Sequence, residues 1–192
     1  MLTKSKIPNA LTITRIVLIL PILFALHSPT LAKYWIFWLF ALAAATDFLD
    51  GYLARKWNVK SDLGAMFDHV SDKLLLAATL IPLTLYGVTG ALTLLVIILR
   101  ELYVSGLREH MALRQIAMPV SRLGQYKTAV QMIAVTVILA GITLKLPAFS
   151  VGDKNLTEPS NILLVGNILL LLGAVLGVIS AIQYSVALRR KT

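Results

Sequence analysis

Long, mainly apolar stretches alternate with short polar connections along the whole chain. A helix that crosses the hydrocarbon core of a bilayer needs roughly 17–25 mostly apolar residues. Six stretches meet that length, and they cover residues 11–27, 34–53, 66–86, 91–113, 125–146 and 161–187. The pattern therefore predicts an all-α polytopic membrane protein with six transmembrane helices, in a single membrane domain that covers residues 1–192.

Three of these boundaries depend on local signals. Residues 74–99 carry no charge, but the segment YGVTG at 86–90 contains helix-breaking glycines and predicts two helices rather than one. The segment TEPSN before the last stretch is typical of a helix start. The basic N-terminus is similar to a signal peptide, yet Arg15 directly before the apolar run and a poor cleavage site favour a retained first helix.

Basic residues are distributed unevenly between the two sides that six spans define. Only three of the 18 lysines and arginines fall on the side away from the termini, namely Lys33, Lys145 and Lys154. Cytoplasmic loops carry the excess of basic residues in membrane proteins. We therefore expect both termini on the cytoplasmic side of the inner (cytoplasmic) membrane.

The composition agrees with a membrane protein and excludes other classes. Hydrophobic residues make up 58% of the chain and charged residues 14%, whereas soluble domains average roughly 45–50% and about 25%. The absence of cysteine excludes disulfides and thiolate chemistry. The net charge of +9 is spread between apolar spans, which argues against a nucleic-acid partner and favours membrane lipids or phosphate-bearing substrates.

Five of the nine acidic residues lie in one segment, TDFLDGYLARKWNVKSDLGAMFDHVSDK. If span two stays helical, Asp47 and Asp50 are three residues apart and share a face. In span three, Asp68 and Asp72 are four residues apart and also share a face. The short connection makes the two helices antiparallel neighbours, so four carboxylates can converge at the cytoplasmic boundary.

Four converging carboxylates repel one another unless a cation compensates them. Hard divalent cations prefer oxygen ligands, and two such ions can hold a pyrophosphate. We expect Asp62 to cap its helix, and His69 to be a packing residue because it points about 100° away from Asp68. The alternative interpretation is that the aspartates are caps or solvated charges paired with neighbouring basic residues, namely Arg55, Lys56, Lys60 and Lys73.

Eight residues of this segment fit the pattern Asp-x2-Asp-Gly-x2-Ala-Arg-x8-Gly-x3-Asp-x3-Asp. They are Asp47, Asp50, Gly51, Ala54, Arg55, Gly64, Asp68 and Asp72. The pattern resembles the signature of the CDP-alcohol phosphatidyltransferase family, whose members are six-helix membrane enzymes and often homodimers. The segments IPNALTITR, RELYVSGLREHMA and LGQYKTAVQM resemble the branch that makes phosphatidylglycerophosphate, although His69 stands where that branch usually has proline.

The resemblance implies a reaction and a set of site residues. The phosphatidyl group of CDP-diacylglycerol would pass to glycerol 3-phosphate, with release of CMP. Two Mg²⁺ or Mn²⁺ ions would bind Asp47, Asp50, Asp68 and Asp72, and Asp72 would also be the general base. The CDP moiety would be held by six residues, namely Asn9, Thr12, Gly51, Ala54, Arg55 and Gly64.

The phosphate of the acceptor needs cationic partners, and arginine and lysine supply them. Arg108 and Lys127 lie in segments that share the resemblance, and both are candidates for this role. Arg100 lies two turns before Arg108 on much the same face of span four and is a third candidate. Its alternative role is a structural ion pair with the adjacent Glu101.

Other functions would need partly different residues. Another acceptor alcohol, such as inositol phosphate, serine or phosphatidylglycerol, would leave the metal and nucleotide residues unchanged. A divalent-cation transporter would need carboxylates along a path through the membrane, whereas the outer halves of the spans are almost free of charge. We expect the span-six glycines to serve helix packing, and these are Gly166, Gly173 and Gly177.

Overall fold

The computed structural model describes residues 2–27, 35–46, 56, 62–115, 122–144 and 161–189. These residues form helices and connecting turns, without a strand among them. The helices are α1 Leu2–His27, α2 Trp35–Thr46, α3 Asp62–Leu85, α4 Ala91–Leu113, α5 Arg122–Leu144 and α6 Asn161–Arg189. The predicted all-α class is therefore confirmed for the described part of the chain.

Helix α3 ends in a glycine turn, as the segment YGVTG predicts. Gly87 has a φ of 72°, which is the left-handed region that favours glycine. The Gly87 N–H donates to the Thr84 carbonyl at 3.0 Å, and the Val88 N–H donates to the Leu83 carbonyl at 2.9 Å. This pair of bonds is a Schellman motif, and Val88 and Leu83, the two positions where the motif favours apolar residues, are both buried.

One compact unit comprises Met1–Val88 and Leu139–Glu158. Within it α1 packs against α3. The buried positions of α1 recur every three or four residues and include Arg15, Ile19, Ile22 and Leu26. The buried positions of α2 follow the same spacing and are Ile36, Phe40, Ala43 and Thr46. Each helix therefore turns one stripe inward, as expected for amphipathic packing.

The second compact unit comprises Thr89–Ile138 and Pro159–Thr192, and within it α4 packs against α6. The buried positions of α6 alternate between steps of three and four residues, and they include Leu163, Gly166, Leu170, Gly173, Gly177, Ser180 and Tyr184. Four of these seven are glycine or serine. Since α6 is apolar on its other sides as well, small side chains mark the packed face better than hydropathy does.

The α6 glycines allow α5 to approach closely. A Cβ added at Gly166 would lie 2.5 Å from Ile138 Cγ1 and 3.1 Å from the Ile138 backbone nitrogen. A Cβ added at Gly173 would lie 2.7 Å from Gln131 Cγ. Distances below 3.0 Å are not found for real Cβ atoms, so the predicted packing role of these two glycines is confirmed.

Two helical stretches in the described residues are long and apolar enough to cross a membrane, Tyr126–Leu144 and Asn161–Leu188. Within the described residues, two further apolar helical stretches, Ile13–Leu26 and Trp35–Thr46, are 10–17 residues long. The remaining two, α3 and α4, carry charged residues at one end, which reduces their uncharged parts to 74–85 and 91–99. Length and hydropathy alone therefore identify two spans among the described residues, and the predicted count of six spans stays a prediction.

Candidate active site

A buried ion pair joins α1 to α3 at one of the predicted site residues. The Arg15 guanidinium on α1 is 0% exposed, and its Nη1 donates to Asp72 Oδ1 at 2.6 Å. The same nitrogen donates to Ser71 Oγ at 3.0 Å, and Ser71 is also completely buried. The Asp72 side chain remains 27% exposed. The predicted catalytic carboxylate therefore lies at the edge of the packed α1–α3 interface.

Helix α3 carries two of the four predicted metal ligands. Asp68 and Asp72 both lie within Asp62–Leu85, four residues apart, so the predicted i, i+4 spacing on one helix is confirmed. The side chain of Asp68 lies outside the described part, and Asp47 and Asp50 lie outside the described residues altogether. Among the side chains that the structure describes, there is no group of three potential metal ligands.

The chemistry of the donor set fits a hard divalent cation. All four predicted ligands are aspartates, and the chain has no cysteine to favour a softer ion. Asp72 is the member whose side chain is described. Its partial exposure is compatible with a metal bond, and a carboxylate that accepts from Arg15 at Oδ1 offers about four lone-pair positions in all.

The predicted nucleotide residues fall partly within the described backbone. Asn9 and Thr12 lie on α1 three residues apart, and Arg15 follows three residues later. Positions with this spacing are neighbours on a helix surface. Gly64 lies in the first turn of α3. The remaining predicted nucleotide residues lie outside the described residues, and they are Gly51, Ala54 and Arg55.

A second buried polar cluster lies in the other compact unit and contains two of the predicted acceptor residues. Arg100 on α4 donates from Nε to the Gly177 carbonyl at 3.1 Å and from Nη2 to Ser180 Oγ at 2.6 Å. Its Nη1 donates to Glu101 Oε1 at 2.8 Å. The ion pair with Glu101, the alternative role for Arg100, is therefore present.

Lys127 on α5 shares the same carboxylate. Its ammonium group is buried and donates to Glu101 Oε1, the oxygen that also accepts from Arg100. Two cations thus converge on one carboxylate, and the three groups together carry one excess positive charge. Arg108, the third acceptor candidate, is exposed. The role of these residues in binding an acceptor phosphate stays a prediction.

Sequence reasoning missed the partners that come from distant parts of the chain. The sequence shows Arg15 next to an apolar run but does not indicate which residue it contacts. In the structure its ion pair with Asp72 spans 57 residues of the chain. Ser71, Gly177 and Ser180 were not predicted to contact arginines. The available signal was the arginines themselves, because a charge within an apolar helix requires a polar partner.

The sequence model of the family described as CDP-alcohol phosphatidyltransferase matches residues 5–181 of the chain. The chain belongs to this family. The match confirms the resemblance predicted from the eight-position pattern. CDP-alcohol phosphatidyltransferases are membrane-bound transferases. The match includes all of the predicted site residues, from Asn9 to Lys127.

Three relatives carry the name CDP-diacylglycerol–glycerol-3-phosphate 3-phosphatidyltransferase. The protein of that name from Rickettsia felis is 37% identical over 189 residues, which cover 96% of each chain. The one from Haemophilus influenzae is 36% identical over 94% of this chain and 92% of the relative. The one from Escherichia coli is 36% identical over 70% of this chain and 76% of the relative.

Proposed function

We propose that the chain transfers the phosphatidyl group of CDP-diacylglycerol to glycerol 3-phosphate, giving phosphatidylglycerophosphate and CMP. The observation that carries this proposal is the similarity to the Rickettsia felis enzyme named for these two substrates, which extends over 96% of both chains at 37% identity. The relatives from Haemophilus influenzae and Escherichia coli carry the same name. The reaction belongs to phospholipid biosynthesis.

The chemistry is a displacement at phosphorus. The primary hydroxyl oxygen of glycerol 3-phosphate forms a bond to the phosphorus that bears the diacylglycerol. The bond from that phosphorus to the bridging oxygen breaks, and CMP leaves with the bridging oxygen. The hydroxyl proton passes to the carboxylate of Asp72, which serves as general base. A carboxylate is a weak base for an alcohol, so its position relative to the hydroxyl must be controlled closely.

Two divalent cations, Mg²⁺ or Mn²⁺, are proposed as cofactors. Four aspartates would hold them, namely Asp47, Asp50, Asp68 and Asp72. When bound, such ions neutralise the charge that develops on the leaving phosphate. Six residues would hold the CDP moiety, namely Asn9, Thr12, Gly51, Ala54, Arg55 and Gly64. The small residues of this set leave room for a bulky ligand close to the backbone.

The proposed setting is the inner membrane, crossed six times, with the site and both termini on the cytoplasmic side. The uneven distribution of basic residues supports this orientation. A site at the boundary admits the acyl chains of CDP-diacylglycerol from the lipid and glycerol 3-phosphate from water. Surrounding membrane lipids are therefore partners, and we extend the family resemblance to propose a homodimer.

Arg100, Arg108 and Lys127 are proposed to bind the phosphate of the acceptor. Arg100 and Lys127 already share Glu101, whereas the side chain of Arg108 is exposed to the surroundings. Arg108 is therefore the first residue to test. Arg108→Gln is expected to raise the KM for glycerol 3-phosphate while the KM for CDP-diacylglycerol changes little. An unchanged KM for glycerol 3-phosphate would remove Arg108 from the acceptor set.

The deciding experiment measures CMP release by the purified protein from CDP-diacylglycerol with Mg²⁺ or Mn²⁺. Glycerol 3-phosphate, serine, inositol phosphate and phosphatidylglycerol are offered in parallel, with a metal-free reaction and Asp72→Asn as controls. We expect metal-dependent release with glycerol 3-phosphate alone. Release with a different acceptor alone would retain the family reaction and reject this acceptor, and metal-independent release would reject the proposed cofactors.

A further inference from the structure

Arg15 is the largest completely buried side chain in the described part of the chain. It lies on α1, in the unit where α1 packs against α3. Burying a guanidinium costs free energy that an apolar side chain of similar size would not cost. Charged residues inside membrane helices generally serve a function for the same reason. The α1–α3 contact could be built without an arginine, so its presence calls for a specific role.

The contacts of Arg15 define how it acts on α3. A single nitrogen, Nη1, carries two N–H groups, and it donates to Ser71 Oγ at 3.0 Å and Asp72 Oδ1 at 2.6 Å. Ser71 and Asp72 are consecutive residues, so the two bonds fix the guanidinium against the backbone of α3. Because Ser71 is completely buried, its bond to Arg15 holds the guanidinium in place within the interface. The partly exposed end is the Asp72 carboxylate.

We propose that Arg15 is a positioning residue that holds Asp72 Oδ1 and thereby sets the orientation of this carboxylate for the transfer reaction. The inference rests on the proposed function, in which Asp72 binds a divalent cation and accepts the hydroxyl proton. A carboxylate offers about four lone-pair positions, so a hydrogen bond from Arg15 to Oδ1 is compatible with binding a cation or a proton. Residues that hydrogen-bond to metal ligands orient those ligands in the same way in other metal sites.

A purely structural role for Arg15 makes a different prediction. In that case a change at Arg15 would lower thermal stability and leave the cation affinity of the folded protein untouched. A positioning role requires that cation affinity and turnover both depend on Arg15, and that they do so through Asp72. Mn²⁺ affinity in the absence of substrate separates the two roles, because it requires no catalysis.

The test uses the purified full chain in detergent, with Mn²⁺ binding measured from the electron paramagnetic resonance signal of the free ion. Four proteins are compared, namely the wild type, Arg15→Gln, Asp72→Asn and the double variant. We expect Arg15→Gln to lower Mn²⁺ affinity and turnover by about 10–100-fold. The double variant should bind Mn²⁺ no more weakly than Asp72→Asn alone, since Arg15 acts only through that carboxylate.

Leu80→Ala is the matched control. Leu80 lies on α3, is 1% exposed and is two turns beyond Asp72, so its truncation destabilises the same helix without touching the ion pair. It should lower the melting temperature and leave Mn²⁺ affinity at the wild-type value. Wild-type Mn²⁺ affinity in Arg15→Gln, or independent losses that multiply in the double variant, would overturn the inference.

Three further outcomes remain informative. If Arg15→Gln does not fold, Ser71→Ala decides, because it removes the bond between Ser71 and Arg15 and keeps the charge pair. A lower Mn²⁺ affinity in Ser71→Ala supports the inference, and an unchanged affinity overturns it. If the wild type uses another acceptor yet Mn²⁺ binding depends on Arg15 through Asp72, the acceptor proposal fails and the positioning role stands. If the wild type binds no Mn²⁺, both the proposed cofactor and the positioning role fail.

Discussion

The carboxylate of Asp72 has two roles, and a measurement of activity alone cannot separate them. It is the proposed general base, and it also neutralises the guanidinium of Arg15, which is 0% exposed. Replacing Asp72 by asparagine removes the proposed base and leaves a buried cation without this charge partner. Loss of turnover in that variant therefore needs a stability measurement beside it.

For Asp72→Asn we expect turnover to be lost, binding of CDP-diacylglycerol to remain detectable, and the protein to be destabilised. The loss of stability should be about 1–3 kcal/mol, because one partner of a buried charged hydrogen bond is removed while Asp72 itself is partly exposed. CMP release, binding of CDP-diacylglycerol and thermal unfolding in detergent measure the three effects. Near-normal turnover would show that Asp72 is not the base.

The α6 glycines permit a second prediction from distances alone. At Gly166 an added Cβ would lie 2.5 Å from Ile138 Cγ1 and 3.1 Å from the Ile138 backbone nitrogen. The Ile138 side chain can rotate away, but its backbone nitrogen cannot. Gly166→Ala should therefore lower the free energy of unfolding by about 1–3 kcal/mol through overpacking. Thermal unfolding of the purified variant measures the change.

Gly177→Ala and Gly106→Ala are the matched controls. At Gly177 the nearest atom to an added Cβ is Arg100 Cδ at 3.5 Å, which is an ordinary contact, and at Gly106 no atom lies within 4 Å. Both changes should therefore leave the stability unchanged or raise it by up to about 1 kcal/mol, because alanine favours a helix over glycine. Equal effects at all three positions would mean that helix propensity, rather than close packing, determines the result.

At the scale of the helices, most boundaries could be predicted from the sequence because charges and glycines interrupt the apolar stretches. The break at YGVTG and the start of α6 at Asn161 were found in this way. Hydropathy could not identify the packed face of α6, because leucine, isoleucine and valine lie on all sides of this helix. The recurrence of small residues at steps of three and four does identify that face.

The partners of the buried arginines were much harder to predict. The Arg100–Glu101 pair was anticipated because the two residues are adjacent in sequence. The bonds from Arg100 to Gly177 and Ser180 cross 77 and 80 residues, and the spacing of charges in one helix says nothing about a partner on another. The same holds for Arg15 and Asp72, so the part of the candidate site that depends on helix pairing is seen only in the three-dimensional structure.

The Arg100–Ser180 bond yields a prediction about the α4–α6 contact. Its length is 2.6 Å and both side chains are buried. A double-mutant cycle with Arg100→Gln and Ser180→Ala should give a coupling free energy of about 0.5–2 kcal/mol, the range of interhelical hydrogen bonds in membranes. Thermal or denaturant unfolding of the four proteins measures this coupling.

Thr136→Ala serves as the control for this cycle. The Thr136 hydroxyl bonds to the Met132 carbonyl within α5, so its loss should add to that of Arg100→Gln without coupling. Coupling of equal size for Thr136 would indicate a general response of the fold. Absence of coupling for Ser180 would show that the Arg100–Ser180 bond adds no stability to the α4–α6 contact.

At the scale of the whole molecule, the charges along the chain predict its orientation in the membrane. Only three of the 18 basic residues belong to the predicted outer side, and the acidic segment belongs to the inner side. The described helices support two spans by length and hydropathy, so the sixfold crossing needs a direct measurement. The chain contains no cysteine, which makes the protein suited to single-cysteine labelling.

Asp153 lies in the predicted outer connection between spans five and six, and Gln115 lies in the predicted cytoplasmic connection between spans four and five. We therefore expect Asp153→Cys to react with a membrane-impermeant maleimide in intact spheroplasts, whereas Gln115→Cys reacts only after the membrane is opened. Gln115 follows α4 and is exposed, so a low reaction in intact spheroplasts reports the membrane barrier rather than burial. The unmodified protein, which has no cysteine, gives the background. Labelling of both variants in intact spheroplasts, or of Gln115→Cys alone, would contradict the orientation. The proposed access of glycerol 3-phosphate from the cytoplasm would then have to be abandoned with it, because the acidic segment shares the side of Gln115 in the six-span arrangement.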